Sequence, residues 1–176
     1  MTISTSALQQ KNAKHLIQSF SDLSYINNPQ ETHIISRADG VYIYDNDGKK
    51  ILDSMSGLWC VNMGYGQKSI IDAVNEQMKE LVYYNNFFGS SHPSAIKLSE
   101  MIADKTPPGM NKVYFTGSGS EANDTVVRLA RHYWAAKGKP SKSVIISRKN
   151  AYHGSTMAGA SLGGMSAMHA QGGLPI

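Results

Sequence analysis

An α/β fold built on parallel strands is what this sequence predicts, on three observations. Two short apolar runs, Val113-Tyr114-Phe115 and Ser143-Val144-Ile145-Ile146-Ser147, read as buried strands. Longer stretches around them repeat apolar residues at three- and four-residue steps, the period of a helix. The first strand also passes through Thr116-Gly117-Ser118-Gly119-Ser120 directly into such a helical stretch, a joint typical of strand–helix units.

Ala7 to Phe20 reads as a first helix, with Leu8, Leu16, Ile17 and Phe20 on one side, and Asn28-Pro29 turns the chain into an extended segment. Gly40 to Tyr44 and Lys50 to Asp53 flank Asp45-Asn46-Asp47-Gly48, a hairpin whose turn residues tolerate positive φ. The spaced oxygen ligands and closing Glu of a calcium loop are absent there. Ser69 to Tyr83 is amphipathic through Ile70, Ile71, Val74, Met78, Leu81 and Val82, with Ser69 and Asp72 resembling a capping box. His92-Pro93 opens a helix carrying Ile96, Leu98, Met101 and Ile102, which Thr106-Pro107-Pro108-Gly109 ends. The helix after Ser120 runs through Ala122, Val126, Leu129, Ala130, Tyr133 and Trp134 to Gly138-Lys139-Pro140.

Composition narrows the function classes. The chain has 176 residues, 41% of them hydrophobic, enough for one domain or slightly more. Its net charge of +4, from 17 basic and 13 acidic residues, is scattered, with no basic run interleaved with aromatics to bind nucleic acid. Cys60 is the lone cysteine, so no internal disulfide forms; set in Leu58-Trp59-Cys60-Val61, it reads as a buried structural thiol. No secretory leader or membrane-length apolar run appears, and a cytoplasmic location with no membrane partner is expected. The ending, Gly172-Gly173-Leu174-Pro175-Ile176, has no closing helix, and a fragment is expected.

The Gly-Ser-Gly-Ser joint carries the chemistry. The first N–H groups of a helix lack internal partners and sit at its positive dipole end, glycine lets a phosphate approach, and serine adds donors. The same residues also suit an ordinary capped loop. No Lys-Ser/Thr pair follows the second glycine, and the third glycine of a dinucleotide fingerprint is missing, so neither of those phosphate motifs is present. If the strands at Val113 and Val144 run parallel, the loops after them emerge at one edge, where open α/β sheets bind ligands. The second loop holds Ala151-Tyr152-His153-Gly154, an aromatic platform for a phosphorylated planar ring, or alternatively a tyrosine packed under the loop. Nothing beside His153 forms a metal-ligand set. Aromatics in predicted loops, at Trp59 and at Tyr83-Tyr84-Asn85-Asn86-Phe87-Phe88, read either as a pocket wall or as core.

Taken together, Ser56-Gly57-Leu58-Trp59, Gly64-Tyr65-Gly66, Thr116-Gly117-Ser118-Gly119-Ser120-Glu121-Ala122-Asn123, Tyr152-His153-Gly154-Ser155-Thr156 and Ser161-Leu162-Gly163 resemble class III aminotransferases, from about residue 30 to the end. The resemblance implies an incomplete fold type I enzyme dependent on pyridoxal 5'-phosphate. Residues 1–66 would be a helix and hairpin segment of the small domain, and 67–176 the first part of the large cofactor-binding domain. Ser118, Gly119 and Ser120 would cup the cofactor phosphate, Tyr152 would stack on its ring, and His153 would support it. Trp59, Phe87 and Phe88 would wall a substrate pocket of the ω-transaminase kind, which passes an amino group from an amine or ω-amino acid to a keto acid such as pyruvate. The family implies a homodimer. It also implies that the cofactor-linking lysine and the carboxylate facing the pyridine nitrogen lie beyond Ile176. No catalytic residue is therefore expected in these residues, and no turnover by them alone. The remaining alternatives are another activity on this scaffold, a mutase or decarboxylase, and a non-catalytic phosphate-binding module.

Overall fold

The computed structural model describes residues 3–175, so Ile176, the last residue of the apolar ending, lies outside the described residues. The chain forms two compact units, Met1–Tyr84 and Asn85–Ile176.

In the first unit, Ser4 caps helix α1 (Thr5–His15), its Oγ accepting the Ala7 N–H at 3.3 Å. The helix ends five residues earlier than the periodicity predicts. Tyr25, only 5% exposed, ends it: its hydroxyl donates to the Leu16 carbonyl at 2.8 Å and accepts from the Gln18 N–H at 3.1 Å. A buried phenol with two backbone partners outweighs continuation of a weakly amphipathic helix. Leu16, Ile17 and Phe20 are left exposed, with Phe20 at positive φ.

The hairpin forms as predicted. Strands β1 (Ile35–Asp39), β2 (Tyr42–Asp45) and β3 (Lys50–Leu52) make an antiparallel sheet in that order. Of the turn residues only Gly48 takes positive φ; the Asp45 carboxylate closes the turn by accepting from Asp47 and Lys49 N–H at 3.0 and 2.8 Å. Arg37 lies over the Tyr44 ring and Lys50 over the Tyr42 ring, at 3.6 and 3.8 Å. Tyr65 pairs with Gly40 through reciprocal backbone bonds of 3.2 and 2.7 Å, so residues 64–66 are fastened to the β1–β2 corner. The short coil α2 (Ser56–Trp59) follows the sheet, then α3 (Lys68–Glu80). Helix α3 is the amphipathic helix predicted, with a different start: Gln67 is its cap residue, and Asp72 pairs with Lys68 at 2.8 Å instead of boxing with Ser69.

The second unit contains α4 (Pro93–Ala103), α5 (Gly119–Ala136), α6 (Met157–Leu162) and α7 (Ser166–His169). Helix α4 starts as read, with Pro93 at its first position and His92 Nδ1 accepting the Ala95 N–H at 3.4 Å. The two runs predicted as parallel strands, Val113–Phe115 and Ser143–Ser147, join no ladder among the described residues. A strand needs a hydrogen-bonded neighbour, and two strands consecutive in sequence need not be neighbours in the sheet. Gly154, Gly159, Ala160 and Gly163 are buried: Gly154 packs against the start of α5, and Gly159 and Gly163 against backbone of α6 and the loop that leads into it. No helix of the described residues is long and apolar enough to cross a membrane.

Candidate functional site

Helix α5 begins at Gly119 because of a reciprocal cap. Ser118 Oγ accepts the Glu121 N–H at 3.2 Å, and the Glu121 carboxylate accepts the Gly117 N–H at 2.7 Å. Thr116 Oγ1 adds a bond to the Ser118 carbonyl at 2.9 Å. The two glycines of the loop therefore differ. A Cβ on Gly117 would meet Glu121 Oε2 at 2.8 Å, whereas one on Gly119 would meet nothing within 4 Å. On the Gly117 side a cleft of about 400 Å³ is bordered by Tyr114, Thr116, Glu121 and Asp124, and its two carboxylates disfavour an anion. On the Gly119 side the N–H groups of Gly119 and Ser120, first and second of an 18-residue helix, have no intrahelical acceptor, and there is open space where a Cβ on Gly119 would stand. That side fits the phosphate of pyridoxal 5'-phosphate.

The Tyr152 loop is stapled to the same helix end. Ser120 Oγ accepts the Ser155 N–H at 3.1 Å, and Asn123 Nδ2 donates to the His153 carbonyl at 2.6 Å. Asp124 Oδ1 accepts from Thr156 Oγ1 at 2.6 Å and from the Gly159 N–H at 3.1 Å. Gly154, at φ 122°, lies so close that a Cβ would come within 2.8 Å of Ser120 Cα. The predicted cup and the predicted stacking loop are thus one rigid piece. Ser118 and Ser120 hydroxyls accept from backbone N–H groups and keep their own protons, so each can donate to a phosphate alongside the main-chain N–H groups. His153 is held through its carbonyl; Tyr152 is exposed beside it. Phe87 and Phe88 touch each other, ring centroids 6.0 Å apart, on a loop where Asn85 Oδ1 accepts the Phe87 N–H at 2.9 Å.

Trp59, in the first unit, is displayed by an unusual backbone. Ser56, Gly57, Leu58 and Trp59 all take positive φ, between 50° and 67°, a left-handed turn. Each non-glycine residue there costs roughly 1–2 kcal/mol, so other bonds must hold it. The Asp53 carboxylate supplies them: Oδ2 accepts from the Gly57 N–H and the Tyr65 hydroxyl, both at 2.7 Å, and Oδ1 from the Met55 N–H at 3.2 Å. Cys60 follows this turn and is exposed, not buried as its apolar neighbours suggest, because the turn carries Leu58 and Trp59 outward as well.

The Tyr65 hydroxyl and then the Gly57 N–H hold the Asp53 carboxyl below its usual value, and the same bond raises the Tyr65 phenol. Asp53 therefore stabilises the turn fully above the ordinary carboxylate value of about 4 and loses that contribution as pH falls through its own lower one. Tyr65 contributes fully below about 10 and loses its share as pH rises through its own higher value. The difference in fluorescence between the full-length protein and its Trp59→Phe variant is expected to stay flat between these limits and to move only outside them.

Asp53, Asn123 and Asp124 escaped the sequence reading as site residues. Asp53 had a usable signal, an Asp ending a strand three residues before a Ser-Gly pair. Asn123 and Asp124 had only their polarity on an amphipathic helix, since their partners lie about 30 residues away, at |i−j| of 30, 32 and 35.

The profile of the family described as aminotransferase class-III matches residues 25–175. The chain is 56% identical over 162 residues to the putrescine–pyruvate aminotransferase of Pseudomonas aeruginosa, covering 92% of this chain and 35% of that protein. It is 42% identical over 143 residues to the diaminobutyrate–2-oxoglutarate transaminase of Halomonas elongata, covering 81% of this chain and 30% of that one. Among solved structures it superimposes on a transaminase from directed evolution by ancestral reconstruction, with a TM-score of 0.93, 39% identity, and coverage of 98% of this chain and 38% of that one. A thermostable omega transaminase 6-fold mutant from Pseudomonas jessenii matches with a TM-score of 0.91, 38% identity, and coverage of 96% and 37%. The chain thus spans about a third of the length of the curated relatives it matches. The family profile spans most of the chain, a relative is 56% identical over 92% of it, and the helix start fits the family's cofactor phosphate: the chain belongs to the class III aminotransferases.

Proposed function

We propose that these residues are the N-terminal part of a transaminase that moves an amino group from an amine or ω-amino acid to a keto acid such as pyruvate. The observation that carries this reading is the open N-terminus of α5 stapled to the Tyr152 loop, a phosphate cup and a ring platform in one rigid piece. Pyridoxal phosphate, when bound, supplies the electron sink for the reaction. The Gly119 and Ser120 N–H groups hold its phosphate, and Tyr152 covers one face of the ring and keeps water from it. Asn123 and Asp124 keep platform and cup in register. Trp59, and separately Phe87 and Phe88, each offer apolar surface to the amine in this reading.

Residues 1–66 belong to the small domain and 67–176 to the large one in this reading. The cofactor-linking lysine and the pyridine-facing carboxylate come from chain downstream of residue 176, so these residues alone do not turn over. The enzyme is a cytoplasmic homodimer. Similarity to the putrescine–pyruvate enzyme favours an aliphatic diamine donor and pyruvate as acceptor.

The test uses the full-length protein loaded with pyridoxal phosphate and given putrescine without acceptor. Conversion of the visible absorption of bound cofactor into that of the pyridoxamine form, reversed by pyruvate, is the expected result. A folded protein that binds no cofactor would leave the non-catalytic reading instead.

A further inference from the structure

The left-handed turn at residues 56–59 is the longest run of positive φ in the first unit, and residues outside the run hold it. Four consecutive residues take positive φ, and three of them carry side chains. Gly57 is the exception, and it could not be otherwise: a Cβ there would meet Val61 Cγ2 at 2.7 Å and the Tyr65 hydroxyl at 3.1 Å. The Asp53 carboxylate receives three hydrogen bonds within 3.2 Å, from Met55, Gly57 and Tyr65. Tyr65 is itself fixed, because its backbone pairs with Gly40 at the sheet corner and Gly64 packs with no room for a side chain, a Cβ there reaching the Gly40 carbonyl at 2.8 Å. A continuous set of contacts therefore runs from the sheet through Tyr65 and Asp53 to the turn. At its end stands Trp59, 83% exposed. Where that ring points depends on the turn.

We propose that Asp53, braced by Tyr65, is a positioning residue for amine selection: it holds Ser56–Trp59 in the left-handed turn and so sets where the Trp59 indole bounds the pocket. This inference rests on the reading of Trp59 as a pocket wall. Charge matters to it, since an ionised carboxylate accepts all three bonds, while an amide presents N–H to at least one donor.

The experiment uses the full-length holoenzyme and its variants Trp59→Ala, Asp53→Asn, Tyr65→Phe and Asp53→Asn with Trp59→Ala. The quantities read are kcat and KM for a small aliphatic diamine and for a bulky arylalkylamine at saturating pyruvate, with Tm and the bound-cofactor spectrum alongside. Trp59→Ala is expected to change the ratio of kcat/KM for the two amines. Asp53→Asn is expected to move that ratio the same way by about five- to tenfold, the effect of one lost charge-assisted bond, mainly through KM and with the spectrum unchanged. Tyr65→Phe moves it less. In the double variant Asp53→Asn adds nothing beyond Trp59→Ala, since the ring it positions is gone.

Equal losses for both amines, or effects that add in the double variant, would overturn the proposal and leave Asp53 a structural residue. If Trp59→Ala leaves the ratio unchanged, the pocket-wall reading fails and takes the proposal with it. If Trp59→Ala moves it and Asp53→Asn does not, only the proposal fails. Should Asp53→Asn not fold, Tyr65→Phe decides, because it removes one bond and leaves the carboxylate in place.

Discussion

Replacing Gly154 by alanine in the full-length protein is expected to weaken pyridoxal phosphate binding by about tenfold or more, since even 1.4 kcal/mol lost from the bound state is a factor of ten. Two costs act together. At φ 122° the backbone is in a region that side chains rarely adopt, and the new Cβ would lie 2.6 to 2.9 Å from Ser120 Oγ, Cα and Cβ. Ser120 Cα belongs to the first turn of α5, so relief cannot come from a side-chain rotation. Either the Tyr152 loop lifts away or the helix start moves, and each separates Tyr152 from the N–H groups of Gly119 and Ser120, the proposed ring and phosphate contacts. Equilibrium titration of the apo variant with pyridoxal phosphate, followed by absorbance and cofactor fluorescence, measures the effect. Gly117→Ala makes the contrast: its Cβ would meet only the end of the Glu121 side chain, at 2.8 Å from Oε2, which can swing aside. Binding within a few-fold of wild type is expected there, and equal losses at both glycines would show that the close approach of loop and helix is not what matters.

The second large effect concerns the 176-residue chain by itself, which is expected to self-associate at micromolar concentration and to melt without cooperativity. Tyr25 and Ala160 are its buried apolar residues among those described, while Val144 and Ile146 are 85% and 92% exposed. The face of α3 that carries Ile70, Ile71, Val74 and Met78 is also exposed. A groove of about 600 Å³ opens between α5, α6 and the Ser143–Ile145 segment, with Val127, Ala158 and Leu162 on its walls. Unpaired strand backbone and contiguous apolar surface of this kind promote association. Light scattering after size exclusion, with a thermal melt, checks it; a monodisperse, cooperatively melting monomer would contradict it.

The elements legible in the sequence were those set by local physics. The Asp45–Gly48 hairpin, the Pro93 start of α4 and the Ser118 start of α5 each depend on bonds between residues within a few positions, so composition and spacing reveal them. The unpaired N–H groups of the Gly119–Ser120 turn belong to the same class, because a helix start carries them wherever it sits. Family membership was also legible, from motifs whose order is linear along the chain.

Only the tertiary structure decided the rest. The early end of α1 comes from Tyr25 reaching back to Leu16 and Gln18. The left-handed turn under Trp59 exists because the Gly40–Tyr65 pairing brings a phenol to Asp53. The register of the α5 start and the Tyr152 loop is held by Asn123 and Asp124 bonding to residues 153, 156 and 159. The strand character of Val113–Phe115 and Ser143–Ser147 also waits on sheet neighbours. Local sequence sets what a segment can do, but a ladder, a staple or a strained turn needs partners distant along the chain, and which partners meet is a property of the folded whole.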